Sequence, residues 1–217
     1  MPISAPPFRN RSHAGEQLAR QLTVYTDRED ALVLGLARGG LPVGHAIASA
    51  LHLPLDVLLV RKLGVPGREE LAFGAIAAGV RVLNEEVVAQ LSLPETVIEQ
   101  TVQREMAELT RREKLYRGER ALLPVQERTV ILVDDGLATG ASMRAAIAAL
   151  RQHNPAGIVV AVPVAAENSV SAVAALADRF VCCVAVPLLF GISAYYDDFA
   201  QVSDQEVQAI LATPTRL

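Results

Sequence analysis

The chain is short of cysteine, of long apolar runs and of net positive charge, and each shortage excludes a class of protein. Its two cysteines are adjacent, Cys182-Cys183, so a disulfide framework is excluded by number. Neighbouring strand residues point to opposite faces, so the pair does not predict a shared metal site either. Buried thiols in a reducing compartment are the expectation. No apolar stretch reaches membrane-spanning length without Gly, Pro or charge, which predicts no membrane partner. Met1-Pro2-Ile3-Ser4-Ala5-Pro6-Pro7 lacks the apolar core of a signal peptide, and a soluble, cytoplasmic protein is expected. Lys plus Arg total 20 against 24 acids, a net of −4, so there is no global basic field for nucleic acid. The phosphate cradle G-x-x-x-x-G-K-[ST] and the dinucleotide fingerprint G-x-G-x-x-G are both missing. His13, His45, His52 and His153 are scattered, with no pair at metal-ligand spacing, and no Ser-His-Asp or Cys-His constellation is readable.

What is present is concentrated in Val130-Ile131-Leu132-Val133-Asp134-Asp135-Gly136-Leu137-Ala138-Thr139-Gly140-Ala141-Ser142. Four β-favouring apolar residues read as a strand buried on both faces of a parallel sheet. They run into two adjacent carboxylates, a turn of small and hydroxyl residues, and an Ala-rich helix. The free N–H groups and partial positive charge of a helix start suit a phosphate. Acids able to hold hydroxyls or a metal-bound group therefore stand beside a nest for a phosphate monoester. A sugar phosphate has those two ends.

The rest of the chain reads as a βα alternation, which predicts an α/β fold. The expected sheet is doubly wound and parallel, flanked by helices, in one domain over residues 1–217. An amphipathic helix is expected over about 12–25 with Ser12 as N-cap. Strand 32–36 is followed by a helix from Pro42 to Leu51. Strand 55–60 leads into a charged, mobile-looking Gly/Pro-rich segment over 64–70. A hairpin around Gly79 should join 73–78 to 81–83. Ser92 and Glu95 form a capping-box pattern opening the longest helix, to Arg117, stopped by Gly118. Its stripe Ile98, Val102, Met106, Leu109 and Tyr116 is narrow, and pairs such as Arg104–Glu108 and Glu108–Arg112 have helical spacing. This helix lies in a helical insertion, about 84–120, between the second and third parallel strands. Strand 158–162, helix 168–177 and strand 179–186 follow, then a small C-terminal hood over 187–217 with a helix capped by Ser203.

In an open parallel sheet, ligands bind beyond the carboxyl ends of the strands. Four segments share that address: Ala37–Gly40, Arg61–Gly74, Asp134–Ser142 and Pro187–Asp198. In the first, Gly39 and Gly40 let backbone N–H groups approach an anion, and Arg38 adds a fork of donors. The last gathers Tyr195 and Tyr196, whose rings could stack on a planar acceptor or form a small aromatic core.

The apolar run, the acid pair and the Thr-Gly turn ending in Ser resemble the phosphoribosyl-pyrophosphate motif of type I phosphoribosyltransferases, and the resemblance extends over residues 10–210. It implies transfer of a phosphoribosyl group from phosphoribosyl pyrophosphate to a nitrogen acceptor such as a nucleobase, with release of pyrophosphate. It casts Asp134 and Asp135 as holders of the ribose hydroxyls and of Mg²⁺, directly or through water. Gly136, Leu137, Ala138, Thr139, Gly140, Ala141 and Ser142 become the 5′-phosphate loop. Arg38, Gly39 and Gly40 become pyrophosphate contacts, with Arg61 or Lys62 beside them and Arg68 on a lid that closes over the site. Catalytic weight would fall on Asp134, Asp135, Arg38 and Lys62. Hypoxanthine–guanine members carry an acid where Ala138 stands, which argues against a 6-oxopurine acceptor; Gly136, where the family is often apolar, reads as a mild change. A homodimer is what the family implies. Two rivals remain: a sensing module that binds phosphoribosyl pyrophosphate without turnover, and a metal-dependent phosphohydrolase. Lys62 and the glycine-rich segment favour the enzyme over the sensor.

Overall fold

The computed structural model describes residues 7–213, the side chains of Glu69 and Glu70 excepted, so Met1 to Pro6 of the amino end lie outside the described residues. In chain order the elements are α1 (Arg11–Ala19), β1 (Ala31–Leu36), α2 (Gly40–Leu51), β2 (Leu55–Leu58), β3 (Val60–Val65), β4 (Arg68–Ala77), β5 (Val80–Leu83), α3 (Glu85–Gln90), α4 (Glu95–Arg117), β6 (Thr129–Val133), α5 (Ala141–Arg151), β7 (Gly157–Ala166), α6 (Glu167–Ala174), β8 (Arg179–Val186) and α7 (Asp204–Ala212). Short 3₁₀ turns occupy Thr23–Tyr25 and Ile192–Tyr195.

The main sheet is parallel, in the order β2-β1-β6-β7-β8. Every residue of β1 and β6 is buried, as an apolar run covered on both faces requires. Leu32, Leu34, Val130 and Leu132 point to the side of α5, where Met143, Ile147 and Leu150 meet them. Val33, Ile131 and Val133 point the other way, onto Leu18 of α1 and Val43 and Ile47 of α2. Cys182 and Cys183 fall against opposite faces in the same manner, and burial pushes the Cys183 thiol up to about 11. Among the described residues no helix is long and apolar enough to cross a membrane.

Between β2 and β6 the chain leaves the parallel sheet. β3, β4 and β5 form a separate antiparallel sheet, followed by α3 and α4. Leu63, Phe73 and Ile76 of this sheet are fully buried against Ile98 and Leu109 of α4, in a core that α7 joins through Val207 and Leu211. Tyr116 completes that stripe, with Val102 and Met106 partly buried.

Several boundaries differ from the sequence reading for local reasons. Asn10, not Ser12, caps α1: its side chain accepts the His13 N–H at 2.9 Å. The helix then ends at Ala19, and the 3₁₀ turn that follows still buries Leu22 and Tyr25. Ser92 does not cap α4, because Pro94 takes the cap position in an extended conformation and Ser92 turns left-handed at φ 46°. Asn84 caps α3 instead, a helix absent from the sequence reading. In the segment 64–70, β3 and β4 form a hairpin whose turn is Pro66-Gly67, with Gly67 at φ 76°. Glu108 pairs with Arg111 and Arg112, while Arg104 turns to Glu105. The hairpin at Gly79, the stop at Gly118 and the Ser203 cap form as expected, and Glu206 completes a capping box with Ser203.

Candidate functional site

The chain passes from β1 to β2 on one side, while β6 lies on the other side of β1. This reversal of strand order opens a crevice beyond β1 and β6, the place where ligands bind in such sheets. The Ala37–Gly40 turn and the Asp134–Ser142 loop form its two walls.

The walls touch through glycine. A Cβ on Gly40 would lie against the Val133 carbonyl oxygen and 2.9 Å from the Asp134 Cα, and one on Gly39 would overlap the Asp135 carboxylate. At Gly40, where the neighbours are backbone, no other residue permits that approach. The peptide Ala37-Arg38 is cis. Arg38 faces Asp204 at the start of α7, Nη1 to Oδ1 3.6 Å, and the Tyr116 hydroxyl donates to the same oxygen at 2.5 Å.

Asp134 is half-buried, and its Oδ1 accepts the Asp135 N–H at 2.9 Å. Burial, and then the neighbouring Asp135, push its carboxyl well above the usual range. Asp135 is held from outside the loop: Arg11 of α1 donates from Nε to Oδ2 at 2.8 Å. The Tyr196 hydroxyl donates to the Asp135 carbonyl at 2.6 Å, and burial, then Asp135, push that phenol up. After the acids, Leu137 bridges to β7 through Val164 at 2.8 Å and Ala166 at 2.9 Å. Ser169 donates to the Ala138 carbonyl at 2.5 Å. Gly140 turns the chain at φ 69° into α5.

A hollow of about 150 Å³ lies in this loop, lined by Asp134, the 136–143 backbone and Ile192. Beside it a larger cavity, about 560 Å³, is shared by Lys62, Thr139, Arg144 and the apolar wall of β4 and β5. Arg144 donates to the Thr139 carbonyl at 2.9 Å, so a second cation borders the loop.

The structure therefore gathers Asp134, Asp135, Gly39, Gly40, residues 136–142 and Lys62. It places others elsewhere. Arg61 turns away to Glu105 on α4, Nε to Oε2 2.8 Å, and Arg68 is exposed at the hairpin tip. Tyr195 and Tyr196 are 7% and 4% exposed, packed with Phe8 and Val164. A buried ring offers no face to a planar acceptor; of the two readings of this loop, the aromatic core is the one that forms. A Cβ on Gly136 would lie 2.7 Å from Ile192 Cγ2, so the Ile192 side chain fills the space beside this glycine. Arg11 and Asp204 were not singled out in the sequence, and Ile192 and Phe190 were seen there only as members of the aromatic segment. Arg11, 124 positions from Asp135, gave no signal.

A buried parallel strand ending in paired acids thus faces a glycine turn across the strand-order reversal of an α/β sheet. The family model for the phosphoribosyl transferase domain matches residues 9–193, and the chain belongs to that family. A protein of Mycobacterium tuberculosis H37Rv named "Putative phosphoribosyl transferase Rv0571c" is 43% identical over 205 residues, 94% of this chain and 46% of its own length. The chain thus spans about half the length of the curated relatives it matches. The crystal structure of TT1426 from Thermus thermophilus superposes with a TM-score of 0.84 at 40% identity, covering 94% of this chain and 97% of that one. A bifunctional protein PyrR of Haemophilus ducreyi is 41% identical over 63 residues, 29% of this chain and 35% of its own length.

Proposed function

We propose that this chain transfers a phosphoribosyl group from phosphoribosyl pyrophosphate to a ring nitrogen of a nucleobase-like acceptor. The observation that carries the reading is the crevice itself, where an acid pair, a glycine turn and a helix-start phosphate nest converge. Asp134 Oδ1 and Asp135 Oδ2 already have protein partners, so each acid keeps its second oxygen for one ribose hydroxyl. The Thr139–Ser142 backbone and the Thr139 and Ser142 hydroxyls receive the 5′-phosphate at the start of α5. Gly39, Gly40 and Arg38 face the pyrophosphate, and Lys62 approaches from the antiparallel sheet. The C1′–O bond to pyrophosphate breaks, a C1′–N bond forms, and the acceptor nitrogen loses its proton. The protein contributes positioning and charge stabilisation.

Among the described residues no group of three or more His, Cys, Asp or Glu side chains is arranged to hold a metal ion. Two adjacent carboxylates fit Mg²⁺ as that ion binds beside phosphates, through one or two acids with the remaining positions left to ligand oxygens and water. It would supply charge neutralisation for the leaving pyrophosphate. A homodimer accompanies the proposal as a family trait.

The test is a screen of nucleobases with phosphoribosyl pyrophosphate and Mg²⁺, reading pyrophosphate release, paired with calorimetry. A hydrogen bond to a charged group is worth about 1.5–3 kcal/mol, so Asp135→Asn should weaken phosphoribosyl pyrophosphate roughly tenfold or more. Tight binding without turnover on any base would replace the enzyme with the sensor. Unchanged affinity in Asp135→Asn would remove the acid pair from the ribose subsite.

Phe190 is the aromatic this reading places at the acceptor. It is 91% exposed in the hood that follows β8, two residues before the Ile192 that packs on Gly136. Base–aromatic stacking is worth about 1–3 kcal/mol. Phe190→Ala should raise the acceptor KM by about 5-fold or more and leave phosphoribosyl pyrophosphate affinity as it was. Equal loss for both substrates would show that the ring supports the loop rather than the base.

A further inference from the structure

Arg11 belongs to α1, at the far end of the chain from the hood, yet its side chain reaches the acid loop at Asp135. Three independent contacts fix it there. Nε donates to Asp135 Oδ2 at 2.8 Å, Nη1 donates to the Ala200 carbonyl at 2.8 Å, and the guanidinium carbon stands 3.8 Å from the centre of the Phe199 ring. Its side chain is 11% exposed and that of Asp135 13%. The segment before it is held as firmly: Phe8 and Arg9 pair with Tyr195, Asp197 and Asp198 through backbone hydrogen bonds of 2.9–3.2 Å.

Only arginine makes this set of contacts. Its planar fork reaches a carboxylate and a carbonyl at once while one face stacks on an aromatic ring, and a lysine ammonium does not. The pairing has two consequences for Asp135. It fixes the carboxylate in one orientation, so that Oδ1 is the oxygen offered to a ligand. It also places a permanent positive charge at the distance where a divalent cation would sit on the same acid, and like charges that close repel strongly in a partly buried site.

We propose that Arg11 is the built-in counter-ion of the acid pair: it positions Asp135 for a ribose hydroxyl and keeps free divalent cations off that carboxylate. Mg²⁺ then arrives with the pyrophosphate rather than waiting on the protein. This rests on the acid pair being the ribose subsite, and its main readout is independent of turnover. Arg11 is a positioning residue here, since it acts through Asp135.

The probe is Mn²⁺ alone, titrated into the ligand-free full chain and followed by electron paramagnetic resonance. Wild type should hold Mn²⁺ weakly, and Arg11→Gln should bind it about tenfold or more tightly once the competing charge is gone. Adding Asp135→Asn to Arg11→Gln should abolish the gain. Arg11→Lys keeps a cation but loses the fork and the stack. It should therefore bind Mn²⁺ as wild type does, while its affinity for phosphoribosyl pyrophosphate falls about tenfold. A purely structural arginine predicts no gain of metal affinity. Unchanged Mn²⁺ binding in a folded Arg11→Gln, or Arg11→Lys binding phosphoribosyl pyrophosphate like wild type, overturns the proposal. Should Arg11→Gln fail to fold, the Arg11→Lys comparison decides it alone. A wild type that binds no phosphoribosyl pyrophosphate would defeat the functional reading, and the Mn²⁺ comparison would still judge Arg11.

Discussion

Gly40→Ala should nearly abolish binding of phosphoribosyl pyrophosphate and lower the stability of the chain at the same time. The added Cβ would meet the Val133 carbonyl and, at 2.9 Å, the Asp134 Cα. Both are backbone atoms, so no side chain can turn aside to make room. Overpacking of this kind costs about 1–3 kcal/mol, or roughly 2–12 °C in Tm for a chain of this size. The functional loss should be larger, because the β1–α2 turn must swing away from the end of β6. That movement separates Gly39 from the acid pair, and a displacement of about 1 Å in such a site can cost on the order of a hundredfold. Gly157→Ala is the matched control: its Cβ would find only the Asp178 carboxylate, at an ordinary 3.5 Å. Calorimetry on both variants checks the claim. Gly40→Ala binding like wild type would mean the two walls do not work as a unit.

Phe73→Ala should be the most damaging core truncation in the β3–β5 sheet. Phe73 is fully buried on β4, and the β3–β5 sheet packs through it on α4 and α7. Removing a buried phenylalanine ring costs about 3–5 kcal/mol. Lys62 is carried by the same sheet, pairing with Ala75 across from β3, so turnover should fall along with the urea midpoint. A loss below about 1 kcal/mol would show that the sheet collapses around the gap, since the cost of such truncations depends on how far the site relaxes.

The sheet and the acid loop were legible because their signals are local. An unbroken apolar run, two acids and a Thr-Gly turn lie within one βα unit, and the contacts that define them are mostly within that unit or to adjacent strands. The contacts the sequence hid join elements far apart in the chain. Arg11 to Asp135, Arg38 to Asp204 and Arg61 to Glu105 depend on how helices pack on the finished sheet, which no pattern in one sequence encodes. The aromatic loop shows the same limit: two tyrosines and two phenylalanines were visible, but not that both tyrosines turn inward while Phe190 turns out. At the β3–β4 turn, Pro66-Gly67 signalled a break in structure. The flanking residues pair as strands despite their charge, with register shifts at Leu63/Gly64 and Gly64/Val65.

Those two register shifts divide the molecule by how long its amide protons last against deuterium. Protons on β1 and β6 lie inside a sheet covered on both faces, and they are released only when the whole fold opens. Beyond Leu63 the hairpin has an interrupted ladder and solvent around its tip, so its protons escape through local openings that leave the rest intact. Exchange at residues 64–70 therefore reports on the arm that carries Lys62, separately from the body of the protein. Slower exchange there with phosphoribosyl pyrophosphate present, and no change in β1 or β6, would show the arm settling onto its ligand.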